Sequence, residues 1–214
     1  MNSHRPIVVG DDGVKRCSWC GSDAQYMRYH DLEWGRAVTN DQRIFEKICL
    51  EGFQAGLSWL TILRKRSAFR SAFKNFDPNL VARFSTKDID RLLQNAEIVR
   101  HRGKIEAAIN NAKMMLQMQT EGVSLAKFVW SFSPENYSGR QAKAPQSPRQ
   151  IRSSTPESQA LSKSLRNRGF KFVGATTMYA AMQSLGIVND HYLGCSQRER
   201  CEILRSKTLK TMLA

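Results

Sequence analysis

The chain has 214 residues, 41% of them hydrophobic, which is enough for a buried core and excludes a wholly disordered polymer. No run reaches the roughly 18–20 apolar residues that a membrane helix needs, and residues 1–13 lack the apolar stretch of a secretory signal, so a cytoplasmic protein is expected. Lys and Arg number 33 against 19 Asp and Glu, and the resulting formal net charge of +14 points to a polyanionic partner, nucleic acid ahead of membrane.

Residues 1–15 read as a flexible leader. From Asp41 onward, Ile44, Phe45, Ile48 and Cys49 recur at helical spacing behind an aspartate cap. Ser58 can cap a second helix, with Leu60, Leu63 and Phe69 as its apolar stripe. Asp77-Pro78 is a cap followed by a first-turn proline. Ser85 to Asp88 resembles a capping box with Asp in place of Glu, and it opens a short helix through Leu92 and Leu93. After a turn at residues 95–99, a long helix is expected from about Arg102 to Gln119, and another near Ser124 to Ser131. Residues 133–155 hold Pro134, Gly139, Pro145 and Pro148 among polar residues and read as a long basic loop. Thr155-Pro156 restarts a helix that ends at Gly169, and a further helix from about Gly174 to Leu185 stops at Gly186. Strand-like alternation is scarce. The fold class is therefore all-α, with a helical domain over residues 16–196 and a basic C-terminal tail over 197–214.

Five cysteines, an odd number, argue against a disulfide framework and for metal binding or free thiols. His191 and Cys195 are four apart, a spacing that lets both reach one ion. Cys17 and His30 lie near the other end of the chain. Together they make a Cys2His2 set that suits tetrahedral zinc, with no open position and hence a structural role joining the two ends. Cys20 forms a CxxC with Cys17 and competes for a ligand place. A redox role for that motif lacks the surrounding βαβ pattern.

Glu51 extends the apolar stripe of its helix, so it is paired, beside a pocket, or at a helix end before Gly52. Gly56 lets backbone approach a partner, and Trp59 offers a flat face. Trp19, Tyr26, Tyr29 and Trp34 crowd the candidate metal ligands. A carboxylate among aromatic rings is what an extruded nucleobase requires, although aromatics also simply pack cores. The turn 95–99 is followed by Arg100, His101, Arg102 and Lys104. Basic residues at a helix N-terminus form a phosphate clamp, or else the solvated face of an ordinary helical hairpin.

The stretches YHDLEWG (Tyr29–Gly35), CLEGFQAGLSW (Cys49–Trp59), IVRHRGKI (Ile98–Ile105), RGFKFVG (Arg168–Gly174) and NDH (Asn189–His191) closely resemble the 3-methyladenine DNA glycosylase I family, a branch of the helix-hairpin-helix glycosylases. The resemblance covers about Arg16 to Cys195. It implies a helix-hairpin-helix fold and a monomeric, monofunctional enzyme that flips 3-methyladenine out of alkylated double-stranded DNA and hydrolyses its N-glycosidic bond. By this resemblance Cys17, His30, His191 and Cys195 match structural zinc ligands. Glu51 matches the carboxylate that hydrogen-bonds the damaged adenine, with Tyr29 beside it as the second catalytic position. Trp59, Trp19 and Trp34 belong to the aromatic, substrate-binding surroundings, and Gly56 and Leu57 to the loop that approaches the gap left by the flipped nucleotide. Asn95, Arg100, Arg102 and Lys104 fall in the DNA-binding hairpin.

The chain departs from the family's pattern at Glu97, where glycine is common, and in the tail beyond Cys195. It has no Asp between Asp90 and Asp190, in keeping with a family that lacks the catalytic aspartate of many helix-hairpin-helix glycosylases. The alternative is a non-catalytic helix-hairpin-helix protein that binds DNA lesions. A third reading is a zinc-dependent interaction protein.

Overall fold

A computed structural model describes residues 5–137, 139 and 143–212. Its elements in chain order are β1 (Ile7–Val9), β2 (Lys15–Cys17), α1 (Ala24–Leu32), α2 (Asp41–Gln54), α3 (Trp59–Ala72), α4 (Pro78–Val81), α5 (Thr86–Gln94), α6 (Arg102–Thr120), α7 (Leu125–Trp130), α8 (Pro134–Tyr137), α9 (Pro156–Asn167), α10 (Ala175–Ser184) and α11 (Arg198–Met212). The fold is mostly helical, and none of the described helices is long and apolar enough to cross a membrane.

Helix α2 is the hub and packs against α3, α6, α7 and α10. Its N-cap is Asn40, whose side chain accepts the Arg43 amide at 3.0 Å. The aspartate cap expected at Asp41 is thus one residue off. Asp41 instead accepts from Ser124 Oγ and the amides of Leu125 and Ala126, so it caps the neighbouring helix α7. The other expected caps form. Ser58 caps α3, Asp77 caps α4 ahead of Pro78, and Ser85 with Asp88 closes a full capping box on α5. The core beneath α2 is aromatic. Phe45, Phe53, Phe69, Phe73, Phe76 and Trp130 are fully buried, and Phe73 stacks on Phe76 at 5.3 Å. The Trp130 indole donates to Val38 O at 2.8 Å, so this large side chain leaves no buried donor unpaired.

Three expectations are corrected. The leader over residues 1–15 is in part an antiparallel hairpin, with Ile7 opposite Cys17 and Val9 opposite Lys15. Helix α1 escapes the sequence because its stripe is aromatic and polar rather than aliphatic; Asp23 caps it. The basic tail is helix α11. Arg205 is buried and bound by Glu135 and Glu202, and Arg198 donates to the carbonyls of Asn189 and His191. The loop expected over 133–155 contains helix α8 and a 3-10 turn at Pro148–Gln150, while its residues 138 and 140–142 lie outside the described ones.

Both ends of the chain meet beside α1. Ser196 N donates to Lys15 O at 2.9 Å, and Arg36 donates to Gln197 Oε1 at 2.8 Å. Gly186 lets the chain after α10 lie directly against the segment between α1 and α2. Its φ is +74°, and a Cβ there would lie 2.7 Å from the backbone of Gly35, Arg36 and Ala37.

Candidate active site and metal cluster

A cavity of about 440 Å³ opens between α1, α2, α3 and α10. Of the residues expected there, Trp19, Tyr29, Trp34, Glu51 and Trp59 line it. Their rings form a slot suited to a flat ligand. Tyr29 and Trp59 lie 5.5 Å apart at 41°, and Trp19 meets Trp34 edge-on at 4.9 Å. Buried Trp59 Nε1 has no acceptor among the described residues. Gly56 and Leu57 stand outside the lining, in the loop that follows Gln54. Leu57 is exposed, and Gly56 holds φ +83° in open space, so that glycine serves conformation rather than close packing.

Glu51 is 4% exposed on the last turn of α2. Burial pushes its carboxyl up to about 7, against the opposing pull of Lys47 and a hydrogen bond from Ser184 Oγ at 3.4 Å. Lys47 lies one turn earlier, and burial lowers its ammonium to about 8. Its Nζ donates to Tyr29 Oη at 3.2 Å and sits 4.6 Å from the Trp59 ring. Burial, then Glu51, raises Tyr29 well above the usual phenol range, so the hydroxyl keeps its proton. Lys47 was invisible in the sequence because a lysine between Glu46 and Ile48 looks like a solvated helix charge.

The sequence also missed Gln54, Gln183, Asp190 and Tyr192 in the lining, together with Pro148 and Ile151 from the expected loop. Asp190 follows Asn189 in the NDH motif. It accepts from Tyr179 Oη and from Gln183 Nε2 at 2.8 Å.

Behind Trp19 and Trp34, Cys17, His30, His191 and Cys195 bring one ligand atom each to within 4.8 Å of the others, all four buried. Cys195 Sγ lies 3.5 Å from His30 Nε2 and 3.4 Å from His191 Nδ1, and Cys17 Sγ lies 3.6 Å from His191 Nδ1. The outer ring nitrogens are also engaged, His30 Nδ1 with Asp31 at 2.8 Å and His191 Nε2 with Trp34 O at 3.2 Å. Cys195 is held well below the usual thiol range by a hydrogen bond with Cys17, then by those with the two histidines. Cys20 is not part of the cluster; its Sγ bonds Cys17 O at 3.2 Å.

The α5–α6 hairpin forms as expected. Asn95 Oδ1 accepts the Glu97 amide at 2.9 Å, and Lys65 donates to the carbonyls of Ala96 and Glu97. Glu97 is exposed and has no left-handed backbone, so this turn does not require glycine. Arg100 is exposed, and Arg102 pairs with Asp90 at 3.0 Å and Glu106 at 3.6 Å. Lys104 corrects the expectation of a phosphate clamp at all four positions. It is buried and donates to Phe53 O at 2.9 Å and Ala55 O at 2.6 Å. It thereby satisfies the C-terminal carbonyls of α2 and ties the hairpin to the rim of the cavity.

The family model described as methyladenine glycosylase matches residues 19–199. The chain belongs to this family. It is 50% identical over 182 residues to DNA-3-methyladenine glycosylase 1 of Escherichia coli, covering 85% of this chain and 96% of the relative. It is 47% identical to a DNA-3-methyladenine glycosylase of Haemophilus influenzae, covering 84% and 96% respectively. Solved structures of 3-methyladenine DNA glycosylase I share its architecture. One aligns with a TM-score of 0.81 at 50% identity, over 85% of this chain and 98% of the other. Another, from Staphylococcus aureus and described as the structural basis of 3-methyladenine recognition, aligns with a TM-score of 0.78 at 34% identity, over 86% and 96%. The family match ends at residue 199, so most of α11 lies beyond it.

Proposed function

We propose that the chain is a monofunctional DNA base-excision glycosylase that flips 3-methyladenine out of alkylated double-stranded DNA and hydrolyses its N-glycosidic bond. The observation that carries this reading is the buried Glu51 carboxylate at the floor of an aromatic slot. Relatives at 47–50% identity over most of the chain bear the name of that activity.

N3-alkylated adenine in DNA is cationic and already a good leaving group, so little general-acid help is needed. Stacking on Trp59 and Tyr29, with Trp19 and Trp34 closing the far side, favours an electron-poor ring. Ionised Glu51 accepts a hydrogen bond from the exocyclic amino group and stabilises the cation. The exposed Leu57, presented by Gly56, faces the gap left by the flipped nucleotide, while Asn95, Arg100 and Arg102 engage the phosphate backbone. Water then completes hydrolysis at the sugar. Lys47 does not line the base cavity, which favours monofunctional hydrolysis over amine attack on the sugar. The exposed large apolar side chains are dispersed, with Val8 and Val9 on β1, Leu32 on α1, Leu80 on α4 and Ile203 on α11, which suits a monomer.

The Cys2His2 cluster is read as a structural zinc site. A tetrahedron with bonds of roughly 2.0–2.3 Å has edges of about 3.3–3.8 Å; the three sulfur–nitrogen separations of 3.4–3.6 Å match such edges, and all four ligand atoms lie within 4.8 Å of one another. Asp31 and the Trp34 carbonyl orient the two histidines as outer partners. Bound zinc would supply a crosslink between the hairpin end of the chain and the 191–195 turn.

The test is release of free 3-methyladenine from methylated DNA by the wild type and by Glu51→Ala. Loss of a charged hydrogen bond made to the reacting base predicts a fall of about 100-fold in the variant. A folded wild type that binds such DNA and releases no base would overturn the enzyme reading and leave a silent lesion-binding protein.

A further inference from the structure

Behind the Tyr29–Trp59 wall lies a second, smaller cavity of about 180 Å³, lined by Glu33, Glu46, Lys47, Arg66 and Arg70 among others. Its carboxylates are already matched: Glu33 with Arg66, and Glu46 with Arg70 at 2.6 Å. Lys47 has no such partner. Among the described residues its one hydrogen bond runs to Tyr29 Oη. An ammonium has three donors and no acceptor, so it engages a lone pair of the phenol and leaves the phenol's own proton to be donated elsewhere. No protein acceptor for that proton is found among the described residues, and Tyr29 lines the base cavity.

We propose that Lys47 is a positioning residue that commits the Tyr29 hydroxyl to act as a hydrogen-bond donor toward the base. The slot then offers one acceptor, the Glu51 carboxylate, and one donor, the Tyr29 hydroxyl. An adenine edge presents the complement, an amino donor beside a ring-nitrogen acceptor. A 6-keto purine presents an acceptor where Glu51 needs a donor. This assignment rests on the glycosylase reading and deepens it by naming what polarises the base-reading pair.

Lys47 can also lose this role. The groups facing it are Glu46 and Glu51 on α2, Tyr29 on α1 with Glu33 just beyond it, and Arg66 with the Trp59 ring on α3. Burial lowers its ammonium to about 8. Once neutral, the amine can accept the Tyr29 proton, and the donor no longer points at the base.

The experiment is a double-mutant cycle of Lys47→Met and Tyr29→Phe, read as kcat/KM for 3-methyladenine release and as affinity for free 3-methyladenine. Each single variant should lose about tenfold, and the double should be no worse than Tyr29→Phe alone. Wild-type activity should also decline as pH rises through about 8, and Lys47→Met should lack that limb. Independent, multiplying losses in the double variant, or an unchanged alkaline limb in Lys47→Met, would overturn the assignment. Should Lys47→Met not fold, Lys47→Gln keeps an amide donor that does not titrate; it should remain active and lose the limb, and retention of the limb would count against the proposal. A wild type that binds free base but releases none from DNA would fail the enzyme reading, while the same cycle on base affinity still decides the role of Lys47.

Discussion

Glu51 shows how one side chain's environment sets its chemistry. Its carboxyl is raised to about 7, chiefly by burial, so it is increasingly protonated below that pH and no longer attracts a cationic base. Base release should therefore fall as pH drops through about 7, and Glu51→Gln should be both slow and flat over that range in a pH–rate profile. For stability the sign is the reverse. A carboxyl raised in the fold favours the folded state while it is protonated, fully so below its ordinary value, and that contribution is lost as pH rises through about 7. Glu51 was legible because it continues the Ile44–Ile48 stripe, where a carboxylate is out of place. Lys47 carries no comparable signal, since only the packing of α1 and α3 against α2 shows that its ammonium is taken out of water.

At the scale of elements, the hairpin places its basic residues in two environments. Arg100 is exposed, whereas Lys104 binds the end of α2. Arg100→Ala should reduce the salt dependence of DNA binding by about one unit of the logarithmic slope. Lys104→Met should leave that slope unchanged and lower stability by about 1–3 kcal/mol, because two backbone carbonyls lose a charged donor. Salt titrations of binding together with denaturant unfolding separate the two. Periodicity, caps and prolines located most helices to within a residue or two, since those signals are local. They did not reveal α1, whose stripe is aromatic, or α11, whose burial depends on Glu135 reaching Arg205 from α8.

For the whole molecule, the crossing of the two chain ends is decisive. Cys17 and His30 come from one end, His191 and Cys195 from the other, and a metal among them would close a loop of most of the chain. Elemental analysis of the purified protein should find one zinc per chain. Stripping it with a chelator should lower the melting temperature by about 10 °C, as expected for a loss of roughly 3–5 kcal/mol in a chain of this size. An unchanged melting temperature in verified metal-free protein would remove the structural role. Because the net charge is +14, binding to undamaged DNA should also weaken steeply as salt rises.

The sequence by itself determined the helical class, most helix boundaries and the pairing of Glu51 with aromatic rings, and it offered Cys17, His30, His191 and Cys195 as candidate ligands with Cys20 in competition. Each of these rests on spacing within a few residues or on an unusual residue type at a defined register. The tertiary structure alone decided which residues share a surface across the chain. It turned Lys104 inward, excluded Cys20 from the cluster, made Asp41 cap a helix whose first residue, Leu125, lies 84 positions further along the chain, and placed Lys47 behind Tyr29. Side-chain direction depends on what packs from distant segments, and local sequence contains no record of that packing.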